Sequence, residues 1–163
     1  RVYIDPMSYR SRSTAFPAVV RANGSSYPMD GLAFDASLDE YAFFRWRIAA
    51  YASGNLTLNL LWYADTASSG NVVWGGAIAA ITPDSDTQDV ETDSLATEAT
   101  VTDSHLGTTG QRLHVASITI SSLDSLADGD EVTLRVGRLG TNGSDTMSGD
   151  AIIVGLEITY SDT

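Results

Sequence analysis

The densest group of chemistry-bearing side chains is "DSDTQDVETD" at 84–93. Asp84, Asp86, Asp89, Glu91 and Asp93 offer the hard oxygens that calcium takes. An EF-hand loop counted from Asp84 would need Gly at its sixth position and a bidentate Glu at its twelfth. Those positions hold Asp89 and Leu95, and the fifth holds Gln88. Without the glycine turn or the closing carboxylate, the expectation is a solvated acidic loop with no tightly bound metal.

The two histidines are not at metal-ligand spacing. His105 falls in the loop "TDSHLG". His114 shares a strand face with Ala116, Ile118 and Ile120 and reads as an interior or interface histidine. Ser104, His105 and Asp103 supply the residue types of a hydrolytic triad. Neighbours in sequence point in different directions, however, and no nucleophile elbow surrounds the serine. Among 21 acids some pair will always lie close, so paired carboxylates for glycoside hydrolysis carry little signal. Trp46, Trp62 and Trp74 sit on aliphatic strand faces and read as core rather than as sugar-stacking platforms. These residues predict no enzyme and no cofactor.

Nothing supplies a basic phosphate-tracking patch. The net charge is −12, with 21 acidic and 9 basic residues, all nine of them arginine. Direct nucleic-acid binding and adhesion to anionic membranes are both disfavoured. There is no cysteine, so disulfides, thiolate metal sites and a Cys nucleophile are excluded. No run reaches the roughly 18–20 apolar residues of a membrane helix. Asn-Gly-Ser at 23 and 142 and Asn-Leu-Thr at 55 match the glycosylation pattern, which matters only in a suitable secretory setting.

The elements that must position any site are strands. "NLTLNLLWYA" (55–64), "RLHVASITI" (112–120), "EVTLRVGR" (131–138) and "AIIVGLEITY" (151–160) alternate with period two. In the last, Ile152, Val154, Leu156, Ile158 and Tyr160 share a face. Val2–Ile4, Ala18–Arg21 and Gly31–Phe34 are weaker candidates, and 89–99 reads as one helical turn at most. "ASGN" (52–55) and "ASSGN" (67–71) look like tight hairpin links. About eight strands without βαβ spacing predict an all-β, antiparallel two-sheet jelly-roll sandwich, with an immunoglobulin-like sandwich second. The predicted core is Phe44, Trp46, Leu58, Leu60, Trp62, Leu134, Val154 and Leu156. Residues 1–25 read as an extended N-terminal arm and 26–163 as a single jelly-roll domain.

"EYAFFRWRIAAYA" (40–52) raises a packing problem. One face carries Ala42, Phe44, Trp46 and Ile48, and the other Tyr41, Phe43, Arg45 and Arg47. A sheet with one wet face does not put Tyr and Phe outside. If the strands near 41–47, 55–64 and 71–81 adjoin, Tyr41, Phe43, Leu61 and Tyr63 form one apolar patch with Arg45 at its rim. Such a patch marks an interface. A second copy of the chain is the simplest cover, which predicts a homotrimer; burial under a loop of its own chain is the competing explanation.

The stretches "LAFDASLDEYAFFRWRI", "LTLNLLWYADTASSGNVVWGGAI" and "DSLADGDEVTLRVGRLGTNGSDTMSGDAIIVGLEITY" resemble a group of small phage-encoded virion structural proteins over roughly 32–160. The resemblance implies a capsid decoration or cement protein, a homotrimer on the outer surface of the virion whose partner is the major capsid protein and which stabilises the head. It carries no active-site residues. The alternative is a carbohydrate- or receptor-binding jelly-roll module of a fibre or cell surface.

Overall fold

A computed structural model describes residues 1–85, 87–107 and 110–162. The chain forms two packed antiparallel sheets, the predicted jelly-roll-like sandwich, with no α-helix among the described residues. Ten strands follow in order: β1 (Val2–Ile4), β2 (Ala18–Asn23), β3 (Pro28–Phe34), β4 (Asp39–Arg47), β5 (Tyr51–Ala64), β6 (Asn71–Ile81), β7 (Ala99–Ser104), β8 (His114–Ile120), β9 (Glu131–Leu139) and β10 (Ala151–Asp162). One sheet runs β2-β3-β10-β5-β8, with β1 also on β10; the other runs β4-β9-β6-β7.

The core lies between the sheets and uses the period-two faces that the sequence displays. Phe44, Leu58, Leu60, Trp62, Leu134 and Leu156 are buried there. Trp62 and Trp74 pack edge-on at 6.0 Å, and Phe34 meets Trp74 at 5.5 Å. Trp46 is only half-buried against this cluster. Val154 is a correction. A β-bulge between Ile153 and Gly155 adds one residue to β10, so the side chains change faces across it. Ile153, Leu156 and Ile158 point into the core, while Ile152 and Val154 join a separate cluster with Ala33 and Tyr63 on the outer face.

Two expected hairpins are absent. The 52–55 segment lies inside β5, and β4 and β5 belong to opposite sheets. The link at 48–50 carries the chain across the sandwich, with Ile48 N–H donating to the Asp130 carbonyl at 2.9 Å and Ala50 at φ 57°. The segment 67–71 likewise joins β5 to β6 across the sheets. Among the described residues, consecutive strands pair only as β2–β3 and β6–β7.

The first 25 residues are part of the sandwich rather than a free arm. β1 fills the edge of β10 beyond the bulge, pairing Val2 with Ile158. β2 pairs with β3 from Ala18 to Asn23. Between them, Arg10 exchanges backbone hydrogen bonds with Phe43 at 2.7 and 2.9 Å, and Tyr41 N–H donates to the Ala15 carbonyl at 2.9 Å. This segment therefore caps the free edge of β4, an edge that would otherwise offer itself to a foreign strand.

Candidate functional site

The outer face of the four-stranded sheet carries the candidate site. Alternation places Tyr41, Phe43 and Arg45 of β4, Glu131, Thr133 and Arg135 of β9, and Ala79 and Ile81 of β6 on this face, held in register by the ladders Phe43↔Arg135 and Arg45↔Thr133↔Ala79. Two glycines let large groups lie flat on one end of it. Tyr41, Gly137 and Gly75 are cross-strand neighbours. A Cβ at Gly137 would collide with the Tyr41 ring, and one at Gly75 would come within 2.8 Å of the Glu98 carboxyl carbon. The Arg135 guanidinium then stacks over Tyr41, 4.6 Å from the ring centroid, and donates to Glu98 at 3.0 Å. Burial raises the Tyr41 phenol above its ordinary range and the Glu98 carboxylate adds to this, against the opposing charge of Arg135. Its hydroxyl therefore stays protonated and able to donate.

Beyond this cluster the face opens into a groove of about 590 Å³. Its floor is Phe43, Ala79, Ile81 and Thr133. The N-terminal segment at Arg10–Arg12 forms one wall, and Val90, Asp93 and Leu95 of the β6–β7 connection form the other. That second wall is fixed by a turn in which the Thr92 and Asp93 amides donate to the Asp89 carbonyl at 2.9 and 2.8 Å. The Ala96 amide, donating to the Ile78 carbonyl at 2.8 Å, pins it to β6. Arg45 pairs with Glu131 across the floor at 2.9 Å. An apolar floor with a few convergent, planar polar groups is the chemistry of a small-molecule or oligomer site.

The five residues expected at one interface do not form one patch. Tyr41, Phe43 and Arg45 lie on the four-stranded sheet, while Leu61 and Tyr63 lie on the other, because β4 and β5 fall in opposite sheets. Tyr63 is only 6% exposed. Val20, Ala22 and Met29 of the β2–β3 hairpin pack against its cluster, so it is covered by its own chain. The tip of that hairpin also borders a second hollow of about 390 Å³ with Tyr27, Tyr63 and Leu113. Leu61 lines a third, of about 540 Å³, with Tyr3, Val154 and Glu157. The second has no ion pair in its lining, and the third has one, between its Glu157 and Arg1 at 2.7 Å, against the two arginines that the groove holds in such pairs.

The other candidates go elsewhere. Asp103 accepts from Trp62 Nε1 at 2.8 Å, Ser104 donates to Asn71 at 2.7 Å, and His105 Nδ1 accepts from the Gly107 amide at 2.9 Å. The three therefore make no triad. His114 is buried and stacks on Trp62 at 4.3 Å. Among the described residues no three His, Cys, Asp or Glu side chains gather as a metal site; Asp86 of the acidic loop lies outside them. Asp89 holds its own loop, accepting from the Glu91 amide at 2.8 Å, and Asp93 reaches the groove wall.

Sequence reasoning found Phe43 and Arg45 as outer-face residues but missed Arg10, Arg12, Glu98 and Arg135. The signal available for Arg135 was its alternation within "EVTLRVGR". Arg10, Arg12 and Glu98 are brought in by non-local packing that no period reports.

No protein-family model and no curated protein sequence matches the chain. Solved structures do match its fold. The carbohydrate-binding module CBM36, in complex with calcium and xylotriose, aligns over 98% of this chain and 100% of its own, with a TM-score of 0.52 and 14% identity. CBM28, a module specific for non-crystalline cellulose, aligns over 95% of this chain and 89% of its own, at TM-score 0.55 and 7% identity. The N-terminal CBM22-1–GH10 part of xylanase 10B from Clostridium thermocellum, complexed with xylohexaose, aligns over 97% of this chain but 27% of its own, at TM-score 0.51 and 8% identity. At these identities the chain shares with them the two-sheet sandwich fold.

Proposed function

We propose that the chain is a non-catalytic carbohydrate-binding module that seats a glycan in the groove on its four-stranded sheet. The observation that carries this is the groove itself, an apolar floor around Phe43 flanked by arginine–carboxylate pairs. A sugar ring presents a C–H face and a rim of hydroxyls. The Phe43 ring takes the first; the charged, planar groups at Arg45–Glu131 and Arg135–Glu98 take the second through charge-assisted hydrogen bonds. Exposed salt bridges stabilise a fold by little, so the exposed Arg45–Glu131 pair is free to share its hydrogen bonds with a ligand. The sandwich neighbours bound to xylotriose or xylohexaose, or specific for non-crystalline cellulose, support the class of ligand.

Affinity electrophoresis through gels containing soluble xylan or polygalacturonate, with pull-down on amorphous cellulose, tests the reading. At least one polysaccharide should retard the protein, and Phe43→Ala should weaken that retention about tenfold or more, as removal of a central aromatic anchor does. Tyr27→Ala, at the second hollow, should leave it unchanged. No retardation by any of the three overturns the proposal.

A second reading, the trimeric virion decoration protein, is supported by the sequence resemblance over 32–160 and by exposed apolar side chains at Tyr3, Leu113 and Val115. It requires self-association and capsid binding that do not depend on Phe43.

A further inference from the structure

The distribution of charge around the groove runs against that of the rest of the molecule. Only nine basic residues offset 21 acids in the whole chain, yet among the described residues four of those nine, Arg10, Arg12, Arg45 and Arg135, line this groove beside two acids, Asp93 and Glu131. Arg45 is neutralised by Glu131 at 2.9 Å and Arg135 by Glu98 at 3.0 Å. Among the described residues the two on the N-terminal wall have no such partner. There, Arg10 Nη1 donates only to neutral backbone, the carbonyls of Ser8 at 3.1 Å and Tyr9 at 3.2 Å. Arg12 makes no hydrogen bond or ion pair among the described residues.

Deepening the carbohydrate reading, and resting on it, we infer that the groove takes an acidic glycan, whose uronate carboxylates dock on Arg10 and Arg12 while its ring faces lie on the Phe43 floor. Hydroxyls of a neutral sugar leave two like charges on one wall uncompensated. A carboxylate matches the guanidinium fork with two parallel hydrogen bonds, each about twice as strong as a neutral one. The acidic surface elsewhere adds selectivity. At physiological salt its repulsion is screened beyond about 8 Å, so a polyanion is attracted only where it enters the groove.

The test compares polygalacturonate, dextran sulfate and neutral xylan by calorimetry, for the wild type and for Arg12→Ala, Arg12→Lys and, as a distant control on β2, Arg21→Ala. Melting temperatures confirm that each variant is folded. Polygalacturonate should bind at least tenfold more tightly than xylan. Arg12→Ala should remove about tenfold of that affinity, in line with loss of one charged hydrogen-bond pair, and leave xylan unaffected. Arg12→Lys should recover only part of it, because the fork is lost, and Arg21→Ala should match the wild type. If xylan binds through Phe43 as tightly as polygalacturonate, the acidic-glycan inference is overturned while the carbohydrate reading stands. If dextran sulfate binds best and all binding vanishes in high salt irrespective of Arg12, the attraction is unspecific and the inference is likewise overturned. If no polysaccharide binds, the carbohydrate reading falls and the inference falls with it.

Discussion

Arg138 shows how much one side chain organises here. It is fully buried and donates twice to Asp145, at 3.0 and 2.7 Å, and to the carbonyls of Gly149 and Met147 at 2.7 Å each and of Phe34 at 3.3 Å. One guanidinium thereby ties β9 to β3 and to the loop that leads into β10. Asp145 also accepts from the Val73 amide at 3.0 Å. Removing one member of a buried pair leaves the other charge without its counter-ion, a loss of about 3–5 kcal/mol. Asp145→Ala should therefore lower the unfolding free energy by about that much in urea titration, far more than Glu131→Ala at the exposed Arg45 pair. Equal losses would show that Arg138 is no keystone.

The histidine pair predicts a pH dependence. His114 Nε2 accepts from the Leu106 amide at 3.0 Å, as His105 Nδ1 does from the Gly107 amide, and the rings lie 4.7 Å apart. Protonating His105 Nδ1 would set a new N–H against an existing one. Burial holds the His105 pKa below its ordinary 6.5, and neighbouring His114 and Arg112 push the same way, against the Ser68 carbonyl. The unfolded chain then binds more protons than the folded one just below pH 6.5, so stability is fully present above that pH and falls as the solution is acidified through it. The melting temperature of the wild type, measured against His105→Asn, should lose its margin between pH 7.5 and 5. A margin independent of pH would remove this role for His105.

At the scale of elements, alternation was enough to read the sandwich and most of its core, because period two survives wherever a strand is regular. It failed where a single residue changes parity or direction. In "AIIVGLEITY" only Gly155, a residue that often attends a bulge, hints at the extra residue at Val154, which lies where β10 passes from β3 to β1 along one edge. Nothing in "ASGN" says that the crossing occurs two residues earlier, at Ala50. β7 was missed because its inward residues are Ala99, Val101 and Asp103, a weak apolar stripe whose Asp is there to bind Trp62. The site was half legible for the same reason: its floor is periodic, its walls are loops. The flat end of the groove depends on Gly137, where a Cβ would meet the Glu40 carbonyl at 2.5 Å as well as the Tyr41 ring. Backbone cannot swing aside as a side-chain end can. Gly137→Ala should cost about 1–3 kcal/mol of stability and weaken glycan binding, while Gly75→Ala, which displaces only the Glu98 side chain, should spare stability and disturb binding alone. Urea unfolding paired with gel retardation separates the two.

At the scale of the whole molecule, the question is whether the chain works alone. The expectation of a trimer rested on one continuous apolar face across β4, β5 and β6, and that face does not exist. Its aromatic members are divided between two sheets that point away from each other. The six-stranded sheet folds its own hairpin over Tyr63, the N-terminal segment satisfies the open edge of β4, and Phe43 lies between walls at the bottom of a groove. The large apolar side chains that remain exposed among the described residues are Tyr3, Phe16, Val19, Tyr27, Leu38, Val90, Leu106, Leu113 and Val115; Tyr27 and Leu113 line one hollow, Tyr3 another and Val90 the groove, so they make no single broad face. A stable interface needs about 800 Å² from each partner with a well-packed centre, and a net charge of −12 opposes the approach of a second copy. Light scattering at micromolar concentration should therefore give the mass of one chain, 17.3 kDa, at moderate salt. Added polygalacturonate should raise the mass only by decorating the polymer, and Leu61→Asp should change nothing. A mass of three chains, returned to one by Leu61→Asp and unaffected by Phe43→Asp, would instead put the interface on the six-stranded sheet and restore the virion reading. The groove would then be a surface that such a trimer turns outward.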